Sequence, residues 1–108
     1  MWNPPSYQEL LKLPYLHSTE NMFPEERIIH MHFFLGGCDW YAAEFDPLTR
    51  MFFGYIILYN DLQNAEWGHF SLEELVYTRD PMGIEVYRDS DWIPKKAFEI
   101  DRIRQHYL

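Results

Sequence analysis

Apolar positions in this chain fall into short blocks separated by turn residues. Residues 28–35, Ile-Ile-His-Met-His-Phe-Phe-Leu, read as a strand, and Gly36-Gly37 follows as a two-residue hairpin signal into a second strand at about residues 39–45. Asp46-Pro47-Leu48-Thr49 makes the next turn, and residues 51–58 form a third strand. Asn60-Asp61 opens another turn before a fourth strand at residues 65–70. Ser71 stands three residues before Glu74, the capping-box spacing, so a helix is expected over residues 72–79, ended by Asp80-Pro81-Met82-Gly83. Residues 84–87 are assigned to an edge strand, and Pro94 opens a terminal helix through about residue 106. Upstream, Ser6 caps a short helix before Pro14, and residues 16–26 are irregular. The expected fold class is α+β: an antiparallel β-meander of four to five strands with two or three short helices packed on it.

The hairpin sets a register. A two-residue loop at Gly36-Gly37 places Leu35 opposite Cys38, Phe33 opposite Trp40, Met31 opposite Ala42 and Ile29 opposite Glu44. A four-residue loop at residues 47–50 then sets Glu44 opposite Phe53, Ala42 opposite Tyr55 and Trp40 opposite Ile57. Both faces of such a sheet are largely apolar. An antiparallel sheet needs only one apolar face, so the second requires cover from helices, a partner or a ligand. Ala97, Ile100, Ile103 and Tyr107 recur at helical spacing and supply one covering stripe.

Length and composition sharpen this picture in two ways. A chain of 108 residues makes one domain, and its 19% aromatic content suits a small core filled by few side chains. A lone Cys38 excludes an internal disulfide and fits a reducing compartment, no apolar run approaches a membrane span, and Met1-Trp2-Asn3-Pro4-Pro5 lacks the features of a signal peptide. A soluble cytoplasmic protein is expected. The net charge is −8, divided as −10 over residues 1–92 and +2 over residues 93–108. Phosphate backbones are held by Lys and Arg, so the acidic body argues against direct nucleic-acid binding; it is either a solubilising surface or one offered to a protein partner with a basic surface.

Glu44 is a carboxylate amid apolar neighbours on a central strand, where it either pairs with Arg27, Arg88 or a Tyr hydroxyl or serves a pocket floored by Trp40 and Tyr55. Trp67, just before the expected helix, is core or, if exposed, a partner anchor. His30 and His32 share one face at strand spacing, yet no third ligand stands with them, so no metal site is expected. Cys38 has no adjacent base and reads as a turn residue. Phosphate loops, nucleophile elbows and zinc-protease motifs are absent, and neither a catalytic residue nor a cofactor is assigned.

The stretch Leu13-Pro14-Tyr15-Leu16-His17-Ser18-Thr19-Glu20 resembles the opening of a family of small bacterial proteins known as a domain of unknown function, common on plasmids, phages and other mobile elements. The likeness continues through Trp40-Tyr41-Ala42-Ala43-Glu44-Phe45-Asp46, Phe52-Phe53-Gly54-Tyr55, Gly68-His69-Phe70-Ser71-Leu72-Glu73-Glu74-Leu75 and Gly83-Ile84-Glu85-Val86-Tyr87-Arg88-Asp89, covering roughly residues 12–92. Residues 93–108, the terminal helix, lie outside it. The resemblance implies a mobile-element setting and carries no catalytic residue. Two readings follow. The first is an acidic protein-interaction module that inhibits a host or phage nucleic-acid-binding defence protein. The second is a small-molecule-binding domain or minor enzyme with a pocket around Trp40, Glu44 and Tyr55. Homodimerisation through a sheet face is compatible with both.

Overall fold

Seven strands and three short α-helices are described by the computed structural model, which covers residues 1–108. In chain order these are α1 (Tyr7–Leu10), β1 (Ile28–Ile29), β2 (Met31–Leu35), β3 (Cys38–Asp46), β4 (Met51–Ile57), β5 (Glu66–Ser71), α2 (Leu72–Tyr77), β6 (Tyr87–Arg88), β7 (Lys95–Lys96) and α3 (Asp101–Arg104). Five of the strands form an antiparallel sheet in the order β5-β4-β3-β2-β6, and β1 pairs with β7 in a separate two-stranded ribbon. The class is α+β with an antiparallel sheet, as the pattern of blocks implies.

Three elements differ from the sequence reading. The first expected strand is interrupted at His30, whose N–H crosses to the Ala42 carbonyl at 2.8 Å; residues before the break join β7 instead of the main sheet. The expected terminal helix is not continuous. A Pro at position 94 suits an extended segment as well as a first helical turn, because its φ is common to both. Here the extended option wins: Lys95 and Lys96 pair with Ile29 and Ile28, and α3 begins only at Asp101. The edge strand falls at Tyr87–Arg88, three residues later than expected at its start. Residues 80–84 instead close a turn in which Asp80 accepts the N–H groups of Met82 and Ile84 and donates its own to the Ile84 carbonyl.

The helices begin where their caps dictate. Ser6 and Glu9 form a reciprocal capping box at α1, whereas at α2 Ser71 Oγ accepts from the Glu74 N–H at 2.8 Å. Helix α2 stops after six residues because Thr78 is extended.

The β2–β3 register follows the Gly-Gly prediction, with Leu35 opposite Cys38 and Met31 opposite Ala42. Gly36 takes the left-handed conformation the turn needs, φ +56°. Between β3 and β4 a bulge at Ala43 shifts the pairing. Glu44 still faces Phe53, but Ala42 faces Gly54 and Trp40 faces Ile56. The bulge therefore moves Tyr55 and Ile57 to the face opposite Trp40. Close approach at this point also explains Gly54, where a Cβ would collide with the Tyr41 carbonyl oxygen.

Both faces are sheltered, as two apolar faces require. On one, Met31, Phe33, Trp40, Phe45, Phe52 and Phe70 pack with Leu10 of α1, Leu13, Leu72 and Leu75 of α2, and Val86. On the other, Tyr41, Ala43, Tyr55 and Ile57 meet Ile29, Ala65, Ala97, Ile100 and Ile103. Phe33, Phe52, Ile57 and Ile103 are fully buried, each contributing about 1.5–3 kcal/mol by removing its surface from water.

Candidate functional site: the Glu44 pocket and the acidic surface

The bulge aims Glu44 at the loop of residues 17–19. Its Oε1 accepts the His17 N–H at 2.8 Å, and its Oε2 accepts the Thr19 N–H at 3.0 Å together with the Thr19 hydroxyl. Arg27 reaches the carboxylate only through Thr19, donating Nε to Thr19 Oγ1 at 3.1 Å. The Arg27 guanidinium lies over the rings of Phe53 and Trp67, 5.1 and 4.9 Å from their centroids. Glu44, 2% exposed, is thus satisfied by loop main chain, in place of the direct Arg or Tyr partner considered above. Arg88 pairs instead with Glu9, and the Tyr55 hydroxyl lies 2.9 Å from His106 Nδ1. The space left beside Glu44 is a cavity of about 80 Å³ bounded by His17, Glu20, Arg27, Phe53 and His69.

Trp40, Glu44 and Tyr55 do not share a pocket. Trp40 belongs to the other face and borders a cleft of about 250 Å³ with Leu35, Cys38, Leu58 and Tyr59. Tyr55 is buried beneath the chain's last turn, where burial pushes its hydroxyl pKa up to about 12. The proposed carboxylate-and-aromatic pocket assumed an unbroken register; one extra residue at Ala43 separates its members. Trp67 is no free anchor either. It is half-buried, donates Nε1 to the Tyr107 hydroxyl at 2.7 Å, and stands edge-on to Tyr55 at 5.4 Å.

The strand histidines are likewise separated by role. His32 Nε2 lies 2.7 Å from Asp39 Oδ1, and Asp39 Oδ2 lies 3.0 Å from Arg102 Nη2. The His32 ring stacks on Tyr41 at 4.5 Å, and burial, with Asp39 nearby, holds the Tyr41 hydroxyl well above its usual pKa. This cluster fastens the β2–β3 hairpin to α3. Sequence reasoning missed it, although the hairpin register already puts His32 opposite Tyr41, diagonal to Asp39. His30 is half-buried between β1 and β2, and burial alone lowers its pKa. No three His, Cys, Asp or Glu side chains are placed to hold a metal ion. Cys38 is buried, its sulfur accepting the Tyr59 N–H at 3.5 Å.

What remains outside is acidic. Six of the nine Lys and Arg side chains pair with the chain's own carboxylates: Arg50 with Glu73, Arg79 with Glu85, Arg88 with Glu9, Lys96 with Glu26, Arg102 with Asp39 and Arg104 with Asp101. Arg27 and Lys95 lie over aromatic rings. Eleven of the seventeen Asp and Glu side chains meet no Lys or Arg, and all of these but Glu44 lie outside the core. Two of these, Asp61 and Glu66, border a groove of about 340 Å³ with Ile56, Leu58, Tyr59 and Asn64. Tyr59 and Asn60 both sit at positive φ, +52° and +59°, and that turn holds the Tyr59 ring 84% exposed. The groove therefore sets an exposed aromatic beside unpaired carboxylates, a combination suited to a cationic, partly apolar side chain.

A family model described as a protein of unknown function, DUF2958, matches residues 9–100. No curated protein and no solved structure matches the chain.

Proposed function

We propose a role for this chain, which belongs to the DUF2958 family of proteins of unknown function: it is an acidic protein-interaction module whose partner presents a basic surface. In its specific form the module is carried by a bacterial mobile element, works in the cytoplasm, and inhibits a host or phage defence protein by occupying the groove that otherwise holds nucleic acid. One observation carries this reading. Eight of the nine Lys and Arg side chains are engaged by the chain's own carboxylates and rings, while ten carboxylates outside the core are left without a Lys or Arg. Such a surface repels phosphate and attracts whatever binds phosphate. The alternative, a small-molecule site or minor enzyme around Trp40, Glu44 and Tyr55, has no cavity common to the three residues and is not favoured.

The test is competition. Purified basic DNA-binding nuclease domains are mixed with the chain with and without duplex DNA, at low and high salt. Binding that DNA displaces and salt weakens is expected. Indifference of every such domain to the chain would remove the proposal.

A further inference from the structure

The two edges of the main sheet are treated differently. Beyond β6, the N-terminal segment continues the pairing: the Trp2 N–H bonds to the Val86 carbonyl at 2.8 Å, and the Trp2 carbonyl accepts from Arg88 at 3.0 Å. Beyond β5 there is nothing. The Leu72 N–H bonds to the Arg50 carbonyl, and the Phe45 N–H turns away from β4 to Pro14. Along an antiparallel ladder these two bonds fix the alternation. Phe70, Gly68 and Glu66 direct their main-chain groups to β4, leaving Trp67 and His69 with N–H and C=O directed outward and without a protein partner.

Natural edges are usually blunted by Lys, Pro, a bulge or extreme shortness. Strand β5, Glu-Trp-Gly-His-Phe-Ser, is six residues long, has neither Lys nor Pro, and pairs in unbroken register. Its ends are acidic instead. Glu66 and Asp61 lie at the start, beside the Tyr59 groove, and Glu73 and Glu74 follow in the first turn of α2. Glu74 and Glu66 are exposed and meet no cation.

We propose that the partner docks by adding an extended, Lys- or Arg-bearing segment to the outer edge of β5, bonding the main chain of Trp67 and His69 and setting cations against Glu66 and Glu74. This rests on the interaction-module reading and supplies its docking mode. Charge selects the occupant. A second copy of the chain, paired antiparallel at this edge, would bring Glu66 next to Glu73 and Glu74 of its mate, opposing like charges between molecules that each carry −8.

The probe is a synthetic peptide alternating Lys and Thr, compared with its Glu-Thr counterpart and with a Lys-Thr peptide N-methylated throughout. Binding is read by anisotropy, and amide hydrogen exchange is followed at Trp67 and His69. The Lys-Thr peptide should bind and slow both amides, the Glu-Thr peptide should not bind, and N-methylation should weaken binding at least about tenfold. His69→Pro, which removes one outward N–H at an edge position that tolerates Pro, should weaken the same peptide; Glu66→Lys serves should that variant fail to fold. Equal binding of the N-methylated peptide, with both amides exchanging as before, overturns edge docking but leaves the interaction reading standing. Slowed amides in the peptide-free protein at rising concentration overturn it in favour of self-pairing. If basic nuclease domains also fail to bind, both proposals fall together.

Discussion

At Glu44 two carboxylate oxygens serve three donors from a loop that has no regular secondary structure of its own. Removing the charge leaves loop N–H groups facing the wrong partner, so Glu44→Gln is expected to cost about 3 kcal/mol in urea unfolding. A loss below about 1 kcal/mol would show that the loop is held by something else. Glu9 gives a second prediction, in pH. The Ser6 N–H and Arg88 hold its carboxyl down, at about 2 against an ordinary 4.5. Its folded-state pKa is depressed, so its contribution is present above about pH 4.5 and disappears as pH falls through about 2. The side chain is 38% exposed, which limits the effect to about 1 kcal/mol or less. The stability difference between wild type and Glu9→Gln, measured by thermal melts, should therefore close across that interval and stay constant above it. Glu44 was visible in the sequence as an odd carboxylate among apolar neighbours, and Glu9 merely fell within the short helix expected between Ser6 and Pro14. Their partners were not visible, because a loop and an Arg 79 residues away are brought to them only by the tertiary fold.

The strands of the meander were legible as elements because alternation and turn chemistry agree there: Gly36-Gly37 and Asp46-Pro47 both mark reversals that the chain makes. The bulge was not legible. Ala42-Ala43 offers no side-chain signal for which residue is extra, and a single step sends Tyr55 to the other face. Gly54 was the available clue, since a glycine inside a strand often marks a close backbone approach. Gly54→Ala should accordingly lose about 3 kcal/mol or more, or give no folded protein, as read by circular dichroism and urea midpoint. Residues 94–107 misled for a different reason. Their apolar spacing suits a helix, and the residues at that spacing are indeed the buried ones, but pairing of β7 with β1 keeps the segment extended for its first part. Ile103→Ala, at a fully buried position, is expected to cost about 2–5 kcal/mol and to raise binding of a hydrophobic dye.

For the whole molecule the governing quantity is charge. Exposed Glu66, Glu74 and Asp91, whose carboxylates make no hydrogen bond or ion pair within the chain, can be exchanged together for Lys without touching either core. The variant should melt within a few degrees of wild type and lose its binding to basic nuclease domains; retained binding would show that charge is not what the partner reads. No helix is long and apolar enough to cross a membrane. The two apolar faces of the sheet are buried. Those surfaces are closed by segments far apart in the chain. Strand β1 waits for a mate that lies 67 residues downstream, and the Tyr55 side of the sheet is roofed by residues 97–107. That roof leaves the ribosome after every strand of the sheet, so the nascent sheet stays half-built and sticky, open to the association that chaperones suppress, until residues 97–107 clear the exit tunnel.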